Sequence, residues 1–198
     1  MASEPETQHR MGVDLDTYHE FVAWVADEPD EAKMAFSARG ESEDTAARTT
    51  ASVGEWTLGG DQMGEERHHE LHYGVPPEIE TEMGFADPAD RIEAVETALS
   101  ALTACINATV TYNALEAGID MDDVTTSASL SVDPRYLLGQ TDEAEGMLGD
   151  PEIEVDIESD GLDDADRERL ASFYERSPVY RMLTDSHPNE PSVTVHED

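Results

Sequence analysis

Apolar residues in this chain recur with two different periods, and the places where one period gives way to the other define the expected elements. From Val13 to Ala26 the residues Val13, Tyr18, Phe21, Val22 and Val25 lie near helical spacing, with Asp14 placed to cap the start and Pro29 to end the run. A helix is predicted over 13–27. Three strands follow, around Lys33–Arg39, Ala47–Leu58 and Arg67–Tyr73, separated by links such as Gly40-Glu-Ser-Glu-Asp and Gly59-Gly-Asp-Gln-Met-Gly that suit an antiparallel meander. The segment Gly74–Asp87, with Pro76-Pro77 inside it, reads as a loop.

A long helix is predicted next, from Pro88 to Ala117. Alanines at 94, 98, 101, 104 and 108 interleave with Ile92, Val95, Leu99, Leu102 and Ile106; Pro88 suits a first turn and Gly118 a stop. Such a helix would run about 45 Å at 1.5 Å per residue, and with apolar or small residues on every side it is expected at the centre of a dimer. Period-two alternation then returns at Val124, Thr126, Ala128, Leu130 and Val132, and again at Ile153, Val155 and Ile157. Helices over Asp163–Arg176 and Pro178–Leu183 and a closing strand Ser192–Val195 complete the pattern. Strands grouped apart from helices make the fold class α+β, one domain over 13–198 behind a polar leader, 1–12, expected to be disordered.

Charge changes the picture more than length does. The chain of 198 residues carries 47 Asp and Glu against 11 Lys and Arg, a formal charge of −36. That field repels nucleic acids and anionic membranes, so neither is an expected partner. The acids lie in nearly every segment and Lys33 is the single lysine. Short carboxylates in place of long lysine stems suit a cytoplasm of molar salt, and a halophilic, cytoplasmic protein is expected. The N-terminal residues have neither the basic start nor the apolar run of a secretory signal, and no stretch has the apolar length of a membrane span.

Cys105, the one cysteine, is the leading chemical candidate. A lone thiol cannot close an internal disulfide, so its reversible chemistry runs through the thiolate, the sulfenic acid or a second molecule. The bland alternative is an inert core thiol. Residues one helical turn away, Ala101, Leu102, Ala108 and Thr109, would line a small apolar pocket. His68, Glu70 and His72 share a strand face, yet without a further ligand at a recognisable spacing they read as a solvated surface, so no metal site is expected. Nor is a cofactor: Gly59-Gly60 is too short to cradle phosphate. Ser177 lacks a nucleophile elbow and reads as the cap of the helix that starts at Pro178.

The run "ETALSALTACINATVTYNALEAGI" around Cys105, followed by "ERSPVYRMLT" and "PSVTV", resembles the OsmC/Ohr family of thiol-dependent peroxide reductases over residues 31–196. The resemblance implies antiparallel sheets wrapped on a long central helix, an intertwined homodimer, and an active site at the subunit boundary. It makes Cys105 the peroxidatic cysteine, with Glu96 as the helix glutamate and Arg39 as the arginine, Arg48 being the second choice and Glu93 the fallback for the glutamate. In that arrangement the glutamate holds the guanidinium by a bidentate pair, and the guanidinium favours the thiolate. Two-cysteine members carry a resolving cysteine where this chain has Ser177, so an external thiol or dithiol would have to reduce the oxidised Cys105. The expected activity is reduction of organic hydroperoxides; the alternative is a redox-inactive dimer of the same fold that binds a small apolar ligand or partner.

Overall fold

Hydrogen bonding along the chain follows the two periods closely, as the computed structural model shows for residues 9–186 and 191–195. They form two units, Met1–Ser100 and Ala101–Asp198, which share the residues of the longest helix and divide the expected domain between them. Residues 1–8 of the expected leader lie outside the described residues. Its end is ordered: His9–Arg10 (β1) pairs antiparallel with Val13–Asp14 (β2).

In the first unit, α1 (Leu15–Asp27) starts where Asp14 accepts a hydrogen bond from the Thr17 N–H, the cap read from the sequence. The meander then forms as expected. Met34–Ser42 (β3) and Thr49–Leu58 (β4) pair antiparallel, with a bulge between Phe36 and Ala38, and His69–Tyr73 (β6) pairs with the first half of β4. The link expected after Leu58 is itself a tight hairpin. Gly59 and Gly60, both at positive φ, turn the chain so that Asp61–Met63 (β5) pairs back on the second half of β4. The predicted loop 74–87 contains a short helix, α2 (Pro77–Glu82), with Pro77 in its first turn.

The long helix, α3, spans Ala94–Ala117 and not 88–117. Long-range bonds claim the residues before it. Ile92 bridges Tyr73 and accepts from the Gly74 N–H, while Arg91 donates to both oxygens of Glu43. Extended residues cannot also supply helical turns, so the helix begins after Glu93. Its end matches the expectation: Gly118 takes φ +69°, its N–H bonds to Leu115 O, and the Ile119 N–H bonds to Ala114 O. Gly118→Ala would place a Cβ in this left-handed position and is expected to cost about 1 kcal/mol, a fall of roughly 3 °C in melting midpoint measured by calorimetry.

In the second unit, Asp123–Ser129 (β7) and Glu152–Glu158 (β8) form a two-stranded antiparallel sheet, the first shorter than the predicted 124–132. Leu102, Ile106, Val110 and Ala114 of α3 pack with Ile119, Leu170 and Phe173 into one core, with the inward-facing Val124, Ile153, Val155 and Ile157 against it. The helix predicted over 163–176 divides into α4 (Asp164–Ser172), capped by Asp163, and a 3-10 turn, Phe173–Arg176. Ser177 then caps α5 (Pro178–Thr184) as expected, accepting from the Tyr180 N–H. The closing strand is absent among the described residues: Pro191–Val195 carries no regular structure and is exposed throughout. No helix of the described residues is long and apolar enough to cross a membrane.

Candidate active site

Helix α3 has two unlike faces within the second unit. Leu102, Ile106, Thr109, Val110 and Ala114 are buried, whereas Ala101, Ala104, Ala108 and Tyr112 are exposed. Cys105 sits between them, half-buried and with a free thiol. The burial expected of a core cysteine is therefore incomplete. Of the four residues proposed to line a pocket with it, Ala101 and Ala108 lie on the exposed face, while Leu102 and Thr109 lie on the core face. The Thr109 hydroxyl is spent on the Cys105 backbone oxygen, at 2.7 Å.

The first unit holds the charged candidates. Arg39 stands on β3 opposite Ser52 with 78 % of its side chain exposed, and its Nη2 donates to Glu41 Oε1 at 2.6 Å. Glu96 is occupied at the start of α3: its Oε2 accepts from the Glu93 N–H at 2.9 Å, while the Glu93 carboxylate accepts from the Val95 N–H. The Glu96 bond is the returning half of a capping box, while Glu93 caps the second N–H of the helix. Arg39 and Glu96 are not paired with each other.

Arg48, in contrast, is held from three sides. Its Nε donates to Glu80 Oε1 at 3.0 Å and its Nη2 to Glu80 Oε2 at 2.7 Å, a bidentate pair in which the Glu80 side chain is fully buried. The same Nη2 donates to Asp87 O at 2.6 Å, and Phe85 lies 6.0 Å from the guanidinium carbon. Glu80 Oε2 accepts further from the Ala89 N–H at 2.7 Å. The hydrogen bonds from Arg48 hold the Glu80 carboxyl below its ordinary value, against the opposing effect of burial and with help from the Ala89 N–H. Beside this pair runs a second, half-buried one: Arg91 donates to both oxygens of Glu43, to which Thr50 Oγ1 also donates, and His72 Nδ1 lies 3.1 Å from that hydroxyl. His68 pairs separately with Glu70. A guanidinium fixed by a glutamate, the arrangement the resemblance implied for Arg39 and Glu96, is thus realised in this unit by Arg48 and Glu80.

Sequence reasoning missed Glu80 altogether. It stands among Glu78 and Glu82 in a proline-marked segment read as a loop, with no period to distinguish one acid from the next. Only the turn of α2 and the chain of bonds from Ala89 and Arg48 select it. Arg48 was legible only as the second choice that the resemblance offered, behind Arg39.

The sequence profile of the family described as OsmC-like protein matches residues 87–191. The chain belongs to the OsmC-like family. The matched span takes in α3, Cys105 and all of the second unit's helices and strands, and leaves Arg48 and Glu80 ahead of it. No curated protein sequence matches the chain. Among solved structures, an OsmC-like protein from Mycoplasma pneumoniae aligns with a TM-score of 0.51 at 15% identity, over 76% of this chain and 87% of that one. An organic hydroperoxide resistance protein OsmC from Legionella pneumophila follows at 0.48 and 13%, covering 76% and 90%. One from Elizabethkingia anophelis with bound thiocyanate gives 0.47 and 12%, covering 76% and 89%. The first of these supports the OsmC-like fold for this chain.

Proposed function

We propose that this OsmC-like protein reduces organic hydroperoxides through Cys105, as a homodimer in a cytoplasm of high salt. The observation that carries the reading is the half-buried Cys105 at the border of the small-residue face of α3, less enclosed than a core position would leave it. The Cys105 thiolate attacks the outer oxygen of ROOH; the O–O bond breaks, the sulfur becomes sulfenic acid, and the departing alkoxide takes a proton to leave as ROH. Sulfur loses two electrons and the peroxide gains them. Ser177 is fully buried and caps α5, and a hydroxyl cannot condense with the sulfenate as a thiol does. An external thiol therefore condenses with it, releasing water, and a second thiol frees Cys105 by exchange.

Thiolate chemistry in an apolar setting needs a cation, and of the two arginines the family resemblance names, the better preorganised is Arg48. Its fork is already fixed by Glu80, whereas Arg39 would give up its rotational freedom and its Glu41 partner on engaging a substrate. The homodimer reading rests on apolar surface left open: the Ala101, Ala104 and Ala108 face of α3 in one unit, and Met34 and Phe36 on β3 in the other. Stopped-flow mixing with cumene hydroperoxide in molar KCl should consume peroxide in proportion to protein, form sulfenate at Cys105, and drop to the rate of a free thiol in Cys105→Ser. Arg39→Ala should keep the parent rate. A parent protein no faster than a free thiol would end the proposal.

A further inference from the structure

The second unit contains a concavity beside its core, and Cys105 is not among the residues that line it. It measures about 430 Å³ and is walled by Val110 of α3, the inward-facing Ile153 and Val155 of β8, Leu170 of α4, and the rings of Tyr174 and Tyr180. A second concavity of about 290 Å³ shares Val155, Ile157, Leu170 and Ala171 with the first, so the two form one elongated groove between β8 and α4. Interiors close-pack without voids much larger than a water molecule, whereas ligand pockets occupy roughly 300–1,000 Å³. The groove is of the second kind.

Its chemistry selects an occupant. The walls are aliphatic and aromatic, which suits a hydrocarbon chain. The polar groups offered are phenols: Tyr174 and Tyr180 meet edge to face at 5.3 Å, and neither hydroxyl has a partner among the described residues. An anionic head is disfavoured. The outward face of β8 is a row of Glu152, Glu154, Asp156 and Glu158, and Arg167, the one cation on the groove wall among the described residues, has its Nε and Nη2 directed to Leu162 O. We infer that this groove binds a neutral amphiphile, a medium-length alkyl or aryl chain ending in a hydroxyl or carbonyl that hydrogen-bonds the tyrosines. Molar salt would screen the row of acids, yet the cost of dehydrating a carboxylate against apolar walls persists, so the preference for a neutral head holds under both conditions.

The site is independent of the peroxide reading, and the experiment separates them. Titration calorimetry of the full chain in molar KCl uses 1-octanol as the probe and octanoate as its charged twin. Octanol should saturate at one per chain, and octanoate should bind at least about tenfold more weakly. Ala171→Trp, a change at an exposed rim position of α4 that fills the mouth without touching the core, should remove binding while the melting curve stays as in the parent. Tyr174→Phe or Tyr180→Phe should weaken octanol several-fold, and Cys105→Ser should bind like the parent. Non-saturating uptake of octanol, retained binding in Ala171→Trp, equal affinity for octanoate, or indifference to both tyrosine changes would each overturn the assignment, whatever the outcome of the peroxide assay.

Discussion

Arg48→Ala is expected to lower the melting midpoint by about 10 °C at fixed KCl, the largest fall for any single exchange in the first unit. Truncating the arginine leaves the Glu80 carboxylate buried with the Ala89 N–H as its remaining partner, and strands Asp87 O as well. Glu80→Ala should be as damaging, because it abandons the guanidinium in the same place. The pair itself is not what the fold needs: two charges taken out of water regain in mutual attraction about what they lose in hydration. Arg48→Met combined with Glu80→Leu should therefore recover most of the lost midpoint. Acid adds an independent check. Glu80 in the folded protein titrates below its ordinary value near 4.5, so its contribution is complete above that value and disappears as pH falls through the folded one. Glu43, lowered chiefly by Arg91, and Asp133, lowered to about 2 by Arg135, act with the same sign. The double variant should lose part of the acid limb of its stability curve and keep the rest. A midpoint in Arg48→Ala equal to that of the parent would show that water replaces the missing partner and that the buried network contributes nothing.

What could be read ahead of the structure follows from the range of the interactions that decide each feature. Helix α3, its stop at Gly118 and the caps at Asp14 and Ser177 are set by residues within a turn of one another, so the pattern around them is sufficient. The meander was legible because alternation and glycine links are local too. The start of α3 was not. Arg91 and Ile92 carry helix-compatible side chains, and only their bonds to Glu43 and Tyr73, some twenty to fifty positions earlier, pull them out of the helix. The same distinction governs the site. Cys105 could be named because it is unique, and Arg39 and Glu96 because a resemblance pointed to their segments. The Arg48–Glu80 pair joins residues 32 positions apart through a short helix that looked like a loop, and nothing in the neighbourhood of either residue announces the other.

Transfer from molar KCl to a dilute buffer is expected to unfold the protein. The outward face of β8 shows why: Glu152, Glu154, Asp156 and Glu158 alternate with the core residues Ile153, Val155 and Ile157, so the strand cannot form without lining up four carboxylates about 7 Å from neighbour to neighbour. Facing them across the sheet, β7 offers Ser129, Ser127 and Thr125 and then one more acid, Asp123, and no cation. The Debye length is about 30 Å at 0.01 M and about 3 Å at 1 M, so each carboxylate feels the whole row in dilute buffer and almost none of it in molar salt. Across a chain of net charge −36 the same comparison repeats on every element, and the unfolded chain relieves the repulsion by expanding. Circular dichroism against KCl concentration should show one cooperative transition. Changing the four β8 acids to Gln, Gln, Asn and Gln should move that transition to lower salt, with no exchange of core residues. The Arg48–Glu80 double variant should leave it where it was, since a buried pair is little screened. A melting midpoint that does not change between dilute and molar KCl would remove the case for a high-salt protein, and would mean that the acids are neutralised within the fold by groups other than the eleven cations the chain possesses.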